Sequence, residues 1–177
     1  SILIGHVAGQ TTTLRVGSGG IMLPNHSTLS VAGQFGTLDG LYPSRIDLGL
    51  GRAPGTDGLT ASALRGNNFN PNYNFEFHIK ELQKYMSKEN AEAKVRAIPG
   101  EGADVPFYIL GSSTDSAFLA AKLGLPYAFA AHFAPSQLEV ALEIYREHFQ
   151  PSEFLDERYV RICINIIAGE TVDEAHY

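Results

Sequence analysis

The chain has 177 residues and a mass of 19.2 kDa, with 44% hydrophobic and 18% charged residues, which is enough for one domain with a buried core and excludes a disordered composition. Lysine and arginine total 13 against 19 aspartates and glutamates, a formal net charge of −6, so the cationic footprint that nucleic-acid backbones require is missing. The single cysteine, Cys163, excludes an intrachain disulfide and a zinc site of several thiolates, and without a signal-like start or an apolar run of roughly 20 residues the chain reads as soluble and cytoplasmic.

In chain order, Ile2, Leu3, Ile4 and Val7 read as the last turns of a helix whose capped beginning is absent. Runs rich in β-branched and aromatic residues follow at 13–16, 46–50, 106–110, 127–131 and 160–167. They are continuous rather than alternating, which marks strands covered on both faces. Between them apolar residues recur three and four apart: Leu29, Ala32, Phe35, Leu38 and Leu41; Leu82, Tyr85 and Met86; Leu138, Ala141, Leu142 and Tyr145. Those spacings predict amphipathic helices. Another helix is expected over 113–123, with Ser113 or Thr114 capping its start, Gly124 at its left-handed end and Pro126 stopping it. At the far end Thr171-Val172-Asp173-Glu174 spells a capping box, three residues before Tyr177. Both ends read as cut, the alternative being frayed termini on a complete domain. The order of strands and helices predicts an α/β fold with a parallel sheet, 1–177 being one domain.

The stretch 53–75, with Gly55, Gly58, Gly66, Asn67, Asn68, Asn70, Pro71, Asn72 and Asn74, reads as one long loop after a strand, where such sheets place their sites. Ahead of it, Leu48-Gly49-Leu50-Gly51-Arg52-Ala53-Pro54-Gly55 ends a strand in small residues and one guanidinium. That group grips a phosphate or carboxylate with two parallel hydrogen bonds, or pairs with a loop acid such as Asp57. Tyr108-Ile109-Leu110-Gly111-Ser112-Ser113-Thr114 repeats the pattern, ending in hydroxyls and a helix start. It fits either an anion site or ordinary capping by Ser113. Both motifs end parallel strands and so share one rim.

A third strand end, Arg15-Val16-Gly17-Ser18-Gly19-Gly20-Ile21-Met22-Leu23-Pro24-Asn25-His26-Ser27, lacks the spacing and lysine of a P-loop. His26 and His132 follow strand ends and are the histidines placed for polar work, whereas His6, His78, His148 and His176 fall on helices. No metal-ligand spacing and no nucleophile elbow is present. Cys163 reads as a core filler.

These stretches, together with Gln34-Phe35-Gly36-Thr37-Leu38, Arg45-Ile46-Asp47 leading into the arginine motif, and Gly124-Leu125-Pro126-Tyr127-Ala128-Phe129-Ala130-Ala131-His132-Phe133, resemble the luciferase-like flavin-dependent monooxygenases. The resemblance implies a (β/α)₈ barrel of which this chain is strands three to seven, since the family's first two strands and its eighth have no counterpart here. It implies FMN, reduced by a separate flavin reductase and reacting with O2 to oxygenate a small organic substrate. By position it implies phosphate binding by Gly51, Arg52, Ala53, Gly111, Ser112, Ser113 and Ser116. The ring is expected at Ser18, Gly19 and Gly20, beside a non-proline cis peptide, with His26, His132 and Phe133 near ring and substrate. Three positions depart from the family: Thr28 for proline, Ser44 for glycine and Gly33 for glutamate. The alternatives are a non-catalytic, self-associating binding module and a deazaflavin-dependent hydride-transfer enzyme. Open sheet edges lead one to expect a homo-oligomer, through those edges or the first two helices, where Gly33, Gly36 and Gly40 form a stripe of small residues.

Overall fold

A computed structural model describes residues 1–66 and 73–176. Five strands, β1 (Val16–Met22), β2 (Ile46–Gly51), β3 (Phe107–Gly111), β4 (Tyr127–Ala130) and β5 (Val160–Cys163), form one parallel sheet in chain order. Helices α1 (Ile2–Gln10), α2 (Thr28–Leu41), α3 (Gly58–Arg65), α4 (Phe75–Met86), α5 (Thr114–Leu123), α6 (Leu138–His148) and α7 (Val172–Ala175) connect and flank them. Sequential parallel strands with helical crossovers are the architecture of part of a (β/α)₈ barrel, as expected.

One face of the sheet carries Ile46, Leu48, Leu50, Ile109, Tyr127 and Phe129, all fully buried against the helices. Ala117, Ala120 and Ala121 let α5 lie close to the strands, while Phe35, Ile79, Leu82 and Tyr145 fill the wider gaps. Tyr145 keeps its buried hydroxyl satisfied by donating to the Leu125 carbonyl at 3.0 Å. The opposite face alternates small residues with a charged cluster. Asp47, 6% exposed, takes Arg15 at 2.5 Å and Arg161 at 3.3 Å, and the Arg161 guanidinium lies 4.3 Å from the centre of the Tyr108 ring.

Helix α5 has the ends expected of it. Ser113 accepts a hydrogen bond from the Ser116 amide, and Gly124 sits at φ +60° while the Leu125 amide returns to the Ala120 carbonyl. In α7 Thr171 caps the Glu174 amide as anticipated, but the Glu174 carboxylate reaches back to the amide of Glu170 instead of completing the box at Thr171.

Four expectations need correction. The first strand begins at Val16 rather than Thr13, so Ser18-Gly19-Gly20 lies within it. Glycines hide a strand from a reading based on apolar side chains, yet their backbones pair with β2, with a register shift between Ser18 and Ile21. The last strand stops at Cys163, because Ile164, Ile166 and Ile167 have no neighbouring strand among the described residues and stand exposed. The stretch 53–75 is not all loop. Asp57 accepts hydrogen bonds from the amides of Leu59 and Thr60 and starts α3; Asn67, Asn68, Asn70, Pro71 and Asn72 lie outside the described residues. The glycine stripe of α2 is not one continuous free surface: Gly36 packs against the backbone of Pro99 and Gly100, leaving Gly33 and Gly40 open.

Ser44, where the resemblance leads one to expect glycine, sits at φ +59°. That conformation costs a side-chain-bearing residue roughly 1 kcal/mol.

Candidate functional site

The C-terminal ends of the strands converge on one rim, and each brings residues singled out above. From β1, the Ser18 hydroxyl donates to the Gly49 carbonyl at 2.9 Å and accepts from the Gly49 amide at 3.0 Å, clamping the strands where their register shifts. The following Gly19–Gly20 peptide is cis. A Cβ on Gly19 would meet open space, so a ligand has room against this backbone, whereas one on Gly20 would come 2.9 Å from the Gly49 carbonyl.

From β2, Gly51 is buried while Arg52 and Ala53 stand exposed. The open alternative, an Arg52–Asp57 pair, is decided by α3. The Thr60 hydroxyl and amide, with the Leu59 amide, hold the Asp57 carboxyl down at about 2. Arg52 instead reaches the first turn of α5, its Nη2 standing 3.7 Å from Asp115 Oδ2. Arg52 and the first turn of the helix capped by Ser113, 61 residues further on, therefore meet at one rim.

From β3, Gly111 leads into Ser112 and Ser113. The two outer hydroxyls of the motif are engaged with the protein itself: Ser113 Oγ accepts from the Ser116 amide at 3.4 Å, and Ser116 Oγ donates to the Ser113 carbonyl at 2.6 Å. The Tyr127 hydroxyl donates to that same carbonyl at 3.2 Å and lies 3.1 Å from Ser116 Oγ; burial raises its pKa, opposed by the Ser116 contact. What this turn offers an anion is thus chiefly its open amides at the positive end of α5. A Cβ on Gly111 would collide with Ser116 Oγ. Gly111→Ala should therefore evict Ser116 and cost about 1–3 kcal/mol, read as a lowered urea midpoint together with loss of the Ser113–Ser116 hydrogen-bond signature in amide NMR.

From β4, His132 Nδ1 stands 3.2 Å from the Cys163 carbonyl and its ring lies 4.2 Å from Phe133, which is 78% exposed. A carbonyl only accepts, so Nδ1 is the donor in this contact. His26 follows β1 in the exposed turn after Asn25. Desolvation on its protein side, with a smaller contribution from the amino terminus, lowers its pKa, and no polar contact joins it to Arg52 or His132 among the described residues. The neighbouring Asn25 ties α3 to the rim, donating to the Pro54 carbonyl and accepting from Arg65 Nε.

A family model described as luciferase-like monooxygenase matches residues 1–176. The chain belongs to this family. A luciferase-like monooxygenase of Escherichia coli strain K12 is 52% identical over 177 residues, covering 100% of this chain and 53% of its own length. The chain thus spans about half the length of the relatives it matches. Among solved structures, that of apo-MsnO8 superposes with a TM-score of 0.84 at 35% identity, over 91% of this chain and 48% of that one. The oxygenating constituent of 3,6-diketocamphane monooxygenase from Pseudomonas putida, a type II Baeyer–Villiger enzyme in complex with FMN, shares the fold with a TM-score of 0.60 at 17% identity, over 90% of this chain and 51% of that one.

Two residues of this family member's rim escaped the sequence reading. Asp115 carried a signal, an acid in the first turn of a helix, but its pairing with Arg52 spans 63 positions and no local pattern announces it. Tyr127 read as a buried strand residue, which it is; its hydroxyl's reach to Ser113 follows from strand register.

Proposed function

We propose that this chain carries the phosphate half of an FMN site in a flavin-dependent monooxygenase that oxygenates a small organic substrate with O2, its flavin reduced by a separate reductase. The observation that carries the reading is the convergence of the Arg52 guanidinium on the amino terminus of α5, two different strand ends offering a planar fork and open amides to one anion. The residues fit the group in two respects. The donors suit a phosphate dianion, and the open face at Gly19 on the same rim has space for a flat ring. Bound flavin supplies the redox chemistry with O2. The protein's own groups hold and orient it: Arg52 and the amides of Ser113 and Thr114 at the phosphate, Gly19 and Gly20 beside the ring, His132 and Phe133 at the exposed substrate side.

These 177 residues span about half of their relatives' length, and tested by themselves they should bind FMN weakly. The informative comparison is FMN against riboflavin by fluorescence quenching. The phosphate should favour FMN roughly tenfold or more, since each charge-assisted hydrogen bond is worth about 1.5–3 kcal/mol before ordering costs. Arg52→Ala should remove most of that preference and Arg52→Lys should keep part, the charge surviving without the fork. Equal affinities for FMN and riboflavin in the unaltered chain would end the phosphate-site reading. Tighter binding of a deazaflavin than of FMN would move the assignment to hydride transfer.

Self-association belongs to the same proposal. Ile2 and Leu3 of α1 are 91% and 71% exposed, and Gly33 and Gly40 of α2 meet nothing; light scattering should show dimers or larger species at tens of micromolar.

A further inference from the structure

Resting on the phosphate-site reading above, we propose that Asp115 is a built-in competitor for that site: its carboxylate engages Arg52 and lowers the affinity for an incoming phosphate.

An acid is an unexpected residue beside a dianion. Asp115 is two residues past the Ser113 cap, so helix geometry puts it beside the amides that an anion would use. The cap role is already filled by Ser113, and among the described residues Asp115 makes no hydrogen bond; its polar contact is Arg52 Nη2 at 3.7 Å. Its side chain is 74% exposed and that of Arg52 is 61% exposed, so neither is locked by packing and the pair can part. A phosphate that took two hydrogen bonds from Arg52 would arrive where the carboxylate now balances the guanidinium. The carboxylate must then swing to solvent or remain as a like charge within several ångströms. If it stays, its repulsion is twice as large for a dianion as for a monoanion; if it swings away, binding must offset the lost Arg52 contact. The neutral flavin ring feels none of it. Exposed ion pairs exchange readily, which suits a latch that yields to its ligand while lowering the affinity for it.

The test uses the 177-residue chain and Asp115→Asn, which keeps size and polarity and removes the charge, with Asp115→Glu as the charge-retaining control. FMN and riboflavin are titrated by fluorescence, and inorganic phosphate by the shifts of the Ser113 and Thr114 amides. Asp115→Asn should tighten FMN and inorganic phosphate about three- to tenfold, leave riboflavin unchanged, and lose its advantage in 0.5 M salt, where screening shortens electrostatic reach to a few ångströms. In an Arg52→Ala background the gain should shrink, because the held partner is gone. Unchanged phosphate affinity in Asp115→Asn, or an equal gain for riboflavin, overturns the proposal. Should FMN fail to outcompete riboflavin in the unaltered chain, the functional reading falls, while the inorganic phosphate titration still decides whether Asp115 guards this turn.

Discussion

Gly36→Ala should destabilise the protein by about 1–3 kcal/mol, whereas Gly33→Ala, three residues earlier on the same helix, should stabilise it by up to about 1 kcal/mol. By helix propensity alone both changes favour α2. The tertiary structure separates them. A Cβ on Gly36 would stand 2.6 Å from the Gly100 amide nitrogen, closer still to its Cα, and 2.9 Å from the Pro99 carbonyl carbon. These are backbone atoms, and they are held: Gly100 in turn packs on the Ala32 carbonyl, the Glu101 amide bonds to Ala97, and the Asn90 side chain, 2% exposed, takes the Ala97 amide at 2.7 Å. The segment cannot retreat without breaking that hub. A Cβ on Gly33 meets nothing within 4 Å, so only the reduced freedom of the unfolded chain counts. Urea unfolding of the two variants checks the pair, and a stabilising Gly36→Ala would show that the 97–101 segment is not seated on α2.

Asp47→Ala is expected to cost about 1–3 kcal/mol, and Arg161→Ala less than about 1 kcal/mol. Asp47 is the shared acceptor of a guanidinium pair: Arg15 binds it through Nε and Nη2, Arg161 through Nη1. Its hydrogen bond, against some desolvation, raises the Arg15 pKa. Deleting the carboxylate leaves two guanidiniums near each other with no anion between them. Deleting Arg161 leaves a satisfied Arg15–Asp47 pair. The expected loss is below the roughly 3–5 kcal/mol of a fully buried pair because both arginine side chains are more than 40% exposed. Equal costs for the two variants, measured by chemical denaturation, would show that Asp47 is not the keystone.

Local signals were enough to place much of this fold. Helix α5 was legible at both ends because a cap, a periodic apolar face and a left-handed glycine all lie within twelve residues, the cap and the glycine acting through hydrogen bonds to the helix's own backbone and the face through burial. Strands β3 and β4 were legible as short unbroken apolar runs, whereas β2 alternates Ile46, Leu48 and Leu50 with Asp47, Gly49 and Gly51 on the sheet's other face. Where those signals were silent, the reading slipped. Strand β1 pairs through glycine backbones that carry no side-chain message, and α3 begins at an Asp57 cap embedded in a glycine-rich stretch that looked like loop.

The candidate site divides along the same line. From residue order alone it followed that Arg52 and Ser113 share a rim, since parallel strands all present their C-terminal ends to one side, and the family could be named from motifs in sequence. Only the tertiary structure decided which acid Arg52 meets, that the Ser113 and Ser116 hydroxyls are turned inward on each other, that His132 leans on the Cys163 carbonyl, and that Gly36 is a seat for the chain's own 97–100 segment. The physical reason is range. Caps and periodicity act over three or four residues and are written where they act, whereas these contacts join residues brought together by strand register and helix packing, and a polar group with several acceptors within reach takes the one that the packed backbone sets at bonding distance.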